Sequence, residues 1–396
     1  MKNALIIFSL LSLFLCNLSI ANAQIDTAEL AVQIRNQYAQ SDLPGLAAAL
    51  VTADGPMFQI SLGNADRDAE IPFTASSCIP VGSVTKTLTG MAVVQLVESG
   101  VLSWDAPIND HLPFTIINPY FPDQPILVYQ LLNHTSSLLD GKKYGQTYLL
   151  DQRVDTIDKE GMHWGYLDFL EKHERIGLSE FVRQTLSRKG KWYKKKNFLK
   201  QEPGTERQYS NINAAVAGLL VEQVSGKSFA NYVQEEIFAP LGMKNSGFAG
   251  HRDYDALRAQ LYFPSGYRVP PYELATYPDG GWLTNLADLG LYLQDVLGGY
   301  QGRPGLLSEA GYQLMLPGDQ DEKRAFWGMG RESRMIGHTG SDPGVHCEIR
   351  FSADHPVGII VLTNTNAEDN EEVWGQLKGI IDVLSTAAKD VAPGVR

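Results

Sequence analysis

Hydrophobic and polar positions fall into blocks with two different periods along the chain. Near the amino terminus, Gly45 to Val51 and Met57 to Leu62 read as short strands separated by the turn Ala53-Asp54-Gly55-Pro56. A helix is predicted from about Ser83, because Leu88, Met91, Ala92 and Leu96 recur at helical spacing and Gly100 stops it. Ser83 therefore stands at a helix start. From about 105 to 270 the pattern is helical with irregular connections. It includes a small-residue helix from about Asn213 to Val224 and a second helix ending at Ala239-Pro240-Leu241-Gly242-Met243. The stretch 141–200 is polar and aromatic-rich, and reads as an elaboration suited to lining a cleft. After about 333 the strand pattern returns in Met335 to Thr339, His346 to Phe351 and Val357 to Thr363, with the turn Ser341-Asp342-Pro343-Gly344 between the first two. A closing amphipathic helix presents Val373, Leu377, Ile380, Ile381 and Leu384 on one face.

Strands at both ends and helices in the middle predict an α+β fold: one antiparallel sheet flanked by helices, with an inserted helical region. The expected division is 24–82 plus 271–396 for the sheet region and 83–270 for the mainly helical region. Residues 1–23 are set apart. Lys2, the apolar run from Ala4 to Leu18 and the small-residue end Ala21-Asn22-Ala23 read as a signal peptide, which implies a periplasmic or secreted bacterial product with no membrane span after cleavage. The formal net charge is -12, and one unit more negative without the leader, which argues against a nucleic-acid partner or a general attraction to anionic membrane. The basic run Lys189-Gly190-Lys191-Trp192-Tyr193-Lys194-Lys195-Lys196 reads as a solvated loop. Cys78 and Cys347 sit in apolar surroundings and read as buried free thiols rather than a bridge.

The chemistry concentrates at three places. In Ser83-Val84-Thr85-Lys86 the hydroxyl and the amine lie one helical turn apart on one face, so Lys86 can bond Ser83 and assist its deprotonation if its own pKa is lowered. Tyr209-Ser210-Asn211 follows the turn Pro203-Gly204-Thr205. Tyr209 is the expected proton shuttle, and Asn211 the residue that holds Lys86 and a substrate amide carbonyl. His338-Thr339-Gly340 closes a predicted edge strand, where Gly340 admits substrate to the backbone, Thr339 binds a carboxylate and His338 adds a hydrogen bond or positive charge. The amides of Ser83 and Ser341 form the expected oxyanion hole.

In this order the three motifs resemble those of the serine β-lactamase, D,D-peptidase and esterase superfamily, and specifically its class C-like branch. Further echoes are Leu131-Leu132-Asn133-His134-Thr135-Ser136-Ser137, Ala239-Pro240-Leu241-Gly242-Met243 and Gly280-Gly281-Trp282. The resemblance spans most of residues 30 to 365 and implies a β-lactamase/transpeptidase-like fold. It implies an acyl-enzyme on Ser83, with protons handled by Tyr209 and Lys86, and a loop-stabilising role for Asn133 and His134. Two positions depart from the usual pattern. Ser137 stands where glycine is usual, and His338 where class C β-lactamases carry lysine.

Histidine near its reference pKa of about 6.5 is only partly charged at neutral pH, which favours a peptide, amide or ester substrate over efficient penicillin turnover. The expected protein is a secreted serine hydrolase of the D,D-carboxypeptidase, D-aminopeptidase or esterase type, acting on small and cell-wall-derived substrates and open to covalent β-lactam labelling. The competing readings are a class C-like β-lactamase and a catalytically silent muropeptide-binding or sensor protein. No cofactor or metal is expected: His163 and His173 lack a paired cysteine or a His-Glu frame, and no phosphate-cradling glycine loop is present.

Overall fold

The structure, a computed structural model, describes residues 25–150, 174–249, 257–318 and 323–391. The leader, His163 and His173 lie outside the described residues, as does the middle of the 141–200 elaboration. The longest strands are β1 (Gly45–Thr52), β2 (Gly55–Asp66), β3 (Met335–Asp342), β4 (Val345–Ser352) and β5 (Gly358–Thr363). They join three two- or three-residue strands in one antiparallel sheet ordered Lys323–Arg324, Trp327–Met329, β3, β4, β5, β1, β2, Ile71–Pro72. The two ends of the chain meet where β1 pairs with β5, Leu46 opposite Thr363 and Leu50 opposite Ile359. This is the predicted β-lactamase/transpeptidase-like α+β plan.

β1 is buried along nearly its whole length because both faces of the sheet are covered. Leu46, Ala48 and Leu50 face one core with Ile359 and Val361. That core is closed by Leu30 and Ile34 of helix α1 (Thr27–Ala39) and by Leu377, Ile380 and Leu384 of the terminal helix. The alternate residues Ala47, Ala49, Val51, Ile360 and Leu362 belong to the larger core on the opposite face, which continues into the helical middle of the chain. There lie α2 (Thr85–Glu98), α3 (Asn211–Ser225) and α4 (Leu286–Tyr300), and the terminal helix is α5 (Glu371–Asp390). Among the described residues, no helix is long and apolar enough to cross a membrane. Cys78 and Cys347 are both buried free thiols.

Two short strands outside the main sheet position the chemistry. Trp282–Thr284 pairs with Ile79–Pro80, Leu283 lying opposite Pro80, and the Val81 amide donates to the Trp282 carbonyl. The segment just before Ser83 is therefore zipped to the segment containing Gly280-Gly281. Thr89 Oγ1 of α2 donates to the Pro278 carbonyl at 2.6 Å, and the Trp282 amide donates to Thr85 Oγ1 at 3.1 Å. Residues 278–282 are thus pinned along the first turns of α2.

Candidate active site

Ser83 lies in one 3-10 turn, Gly82–Val84, that leads directly into α2. Gly82 has φ +50, in the left-handed region that favours glycine. A Cβ on Gly82 would also stand 3.1 Å from both the Ser341 amide nitrogen and Asp342 Oδ2. Across the gap, a Cβ on Gly340 would collide with the Val81 carbonyl and stand 3.0 Å from the Ser83 amide. Glycine at both positions lets the serine turn and β3 approach backbone to backbone, with the amides of Ser83 and Ser341 in the strip between them.

Lys86 Nζ donates to Ser83 Oγ at 2.8 Å and to the Asp279 carbonyl at 2.6 Å. Tyr209 OH donates to the same Ser83 Oγ at 2.9 Å, and Lys86 Nζ lies 5.3 Å from the centre of the Tyr209 ring. Three groups from residues 83, 86 and 209 therefore meet at one hydroxyl. Lys86 is completely buried. Burial pulls its pKa down, but Tyr209, Asp279 and Asp342 together pull it up, and the net shift is upward. The lowered pKa that the sequence reading required of Lys86 is not what its surroundings produce. Lys86 therefore stays an ammonium. Burial pushes the Asp279 carboxyl up to about 7 against the pull of Lys86. It likewise pushes the Asp342 carboxyl up to about 6, against its hydrogen bond from Tyr148 and the charge of Lys86.

Tyr209 is held from both sides. Its ring centre is 4.5 Å from that of His134 and 6.3 Å from that of His338. His134 is buried and its Nδ1 faces Asn213 Nδ2 at 3.2 Å, while Asn133 Oδ1 accepts from the Ala325 amide at 3.3 Å. Both residues hold the loop beside the cleft. Ser137 has φ +67, which accounts for a preference for glycine there. Its hydroxyl accepts from Asn118 Nδ2 at 2.8 Å.

Asn211 departs from expectation. Its side-chain amide donates to Asp140 Oδ2 at 3.1 Å rather than contacting Lys86. Asp140 also accepts from the Asn211 amide, the Ile212 amide and Ser210 Oγ, at 3.1, 2.9 and 2.8 Å. One carboxylate thus caps the start of α3 and fixes the segment that carries Tyr209. Sequence reasoning missed Asp140 because 70 residues separate it from its partners. It missed Asp279 because that residue serves Lys86 through a backbone oxygen, which any residue type supplies. Asp342 carried a signal only as part of a turn.

The strand bearing His338-Thr339-Gly340 is an edge over only part of its length. Gly337 and Ile336 pair with Gly328 and Met329, so the start of β3 is covered. From His338 onward, its flank toward Ser83 has no strand partner among the described residues. Thr339 is exposed, and His338 Nδ1 donates to the Thr339 carbonyl at 2.6 Å. Beside them opens a cavity of about 380 Å³ lined by Arg207, Tyr209, His338, Thr339, Phe326, Trp327 and Met329 among others.

An antiparallel sheet with helices on both faces, and a helix-start serine bonded by a lysine and a tyrosine from another segment, is the β-lactamase/transpeptidase-like arrangement. The chain matches the Beta-lactamase family over residues 30–379 and belongs to it. It is 22% identical over 353 residues to Protein flp of Staphylococcus aureus (strain MRSA252), covering 87% of this chain and 63% of that protein. It therefore spans a little under two thirds of that relative's length. Esterase EstB of Burkholderia gladioli is 29% identical over 231 residues, 57% of this chain and 53% of the esterase. Among solved structures, the octameric penicillin-binding protein homologue from Pyrococcus abyssi superimposes with a TM-score of 0.70 at 21% identity, covering 93% of this chain and 79% of its own.

Proposed function

We propose that the protein is exported through residues 1–23 and cleaves a peptide, amide or ester bond by way of an acyl-enzyme on Ser83. The observation that carries this reading is the Ser83 hydroxyl lying 2.8 Å from an ammonium and 2.9 Å from a phenol oxygen. The Tyr209 oxygen, beside the Lys86 ammonium, takes the Ser83 proton as Oγ attacks the substrate carbonyl carbon. The resulting oxyanion lies between the amides of Ser83 and Ser341. Tyr209 then passes the proton to the departing amine or alcohol, and in the second half takes one from the water that releases the acyl group. Thr339 and His338 orient the substrate from β3, while Asn211 is tied to Asp140 at the start of α3.

The absence of a lysine at position 338 supports peptide, amide or ester cleavage over fast penicillin turnover, since no permanent positive charge stands there. Intact-mass measurement after incubation with a fluorophosphonate and with penicillin tests the assignment. The wild type gains one adduct on Ser83, and Ser83→Ala, with an unchanged circular dichroism spectrum, gains none. Equal labelling of the variant would overturn it.

A further inference from the structure

The two halves of the site differ in room, and the direction of the reaction tells which half is which. Tyr209 hands its proton to the leaving group, so the leaving group lies on the Tyr209 flank. That flank is the cavity of about 380 Å³, with Trp327, Phe326, Met329 and Leu132 supplying apolar wall and Arg207 and His338 polar wall. The acyl substituent points the other way, past Ser341 toward Asp342, because the carbonyl carbon is bonded to both and its oxygen occupies the amide strip.

On that side the path is barred. Tyr148 OH donates to Asp342 Oδ1 at 2.5 Å. The other oxygen, Asp342 Oδ2, is wedged where a Cβ on Gly82 or on Gly280 would come within 3.1 or 3.2 Å. The bar is rigidly mounted. Tyr148–Leu150 pairs with Tyr272–Leu274, with Tyr148 opposite Leu274. The Tyr272 ring backs that of Tyr148 at 5.7 Å, and the Tyr272 hydroxyl donates to the Pro343 carbonyl at 3.3 Å. A second cavity of about 340 Å³, lined by Leu149, Tyr272, Leu274 and Gly280, lies beyond it, and neither Ser83 nor Tyr209 contributes to its wall.

We infer that the Tyr148–Asp342 bridge is a specificity determinant, restricting the acyl half of the substrate to short groups while the leaving group is bulky and largely apolar. The substrate class is then an ester or amide of a short carboxylic acid with a large alcohol or amine. A carboxypeptidase, which holds a long peptide in its acyl half and expels one residue, has the opposite shape. The inference rests on the acyl-enzyme reading, since that reading sets the direction of the two halves. It goes further in assigning a size limit to a residue pair outside the three motifs.

The test holds the leaving group constant and varies the acyl group, using p-nitrophenyl acetate, butyrate and octanoate. In the wild type, kcat/KM falls at least tenfold from acetate to octanoate, because the longer chain meets the Tyr148–Asp342 bridge. In Tyr148→Ala the octanoate-to-acetate ratio rises at least tenfold. In Tyr148→Phe, which keeps the ring and loses the bond to Asp342, it rises by a smaller factor, so the test survives if the alanine variant does not fold. A protein labelled at Ser83 by fluorophosphonate yet showing a flat acyl-length profile, or an unchanged ratio in both variants, overturns the size limit alone. Loss of both labelling and ester cleavage in the wild type overturns the acyl-enzyme reading, and the size limit with it.

Discussion

At the scale of single residues, the site divides the labour between a fixed charge and a mobile proton. Lys86 is buried, cationic and bonded to a backbone oxygen, so it supplies constant positive charge at Ser83. Tyr209 is 39% exposed and bonds Ser83 through its oxygen, which suits the proton transfer proposed for it. Tyr209→Phe keeps the ring between His134 and His338 and deletes only that oxygen. It should lower kcat by roughly 10²- to 10⁴-fold, the usual yield of a positioned acid-base group, with KM changing far less. Steady-state kinetics on one ester measures the split, and a raised KM with unchanged kcat would mean that Tyr209 binds rather than transfers protons. The motif residues were legible in the sequence because each carries its chemistry in its side chain. The direction of the Lys86 pKa was not, because it depends on Tyr209, Asp279 and Asp342, which lie near Lys86 only once the chain is folded.

At the scale of elements, the phenol is placed by a helix whose first turn is tied to a loop. The orphan amides at the start of α3 meet Asp140, which also takes the side chains of Ser210 and Asn211. Asp140→Ala should cost about 1–2 kcal/mol of stability, as expected for a lost cap that is partly open to solvent. It should lower kcat by more than that figure alone implies, because Tyr209 loses its anchor. Asp140→Asn, keeping one acceptor oxygen, recovers part of both. Urea denaturation and kinetics on the same two variants check this, and a stability loss with unchanged kcat would confine Asp140 to the fold. Strand and helix identities were legible, α5 from its helical period and β1 and β5 from short apolar runs bounded by turns. Their ends were less so: β3 runs on through Asp342 rather than stopping at Thr339, because its pairing with β4 continues to Asp342 opposite Val345. The cap of α3 and the Tyr148–Leu150 pairing were not legible, since each joins segments more than 60 residues apart without a local pattern.

At the scale of the whole molecule, β4 carries a histidine that links the sheet to the terminal helix and whose own contribution to stability falls in acid. His346 lies opposite Ser341 on β3, is wholly buried, and packs its ring 5.3 Å from that of Trp374 on α5. Burial pushes its pKa down to about 4, so its approach of Nδ1 to Glu368 at 3.5 Å is made by a neutral ring. In the unfolded chain the same residue takes up a proton near 6.5. Between those two values the unfolded state binds the extra proton, so the contribution of His346 to stability is complete above pH 6.5 and is lost as pH falls toward 4. At about 1.4 kcal/mol per pKa unit, the loss approaches 3 kcal/mol. Asp342 and Asp279, whose carboxyls are raised to about 6 and about 7, act in the opposite sense over the same range and by at least as much, so the intact protein does not show the histidine's effect by itself. The comparison that isolates the histidine is therefore a difference. The stability of wild type minus that of His346→Leu should become less favourable to the wild type by roughly 3 kcal/mol between pH 7 and pH 4. Urea denaturation of both proteins across that range measures it. Parallel pH profiles would mean that His346 takes up its proton at ordinary pH within the fold, so that the approach of Glu368 outweighs burial.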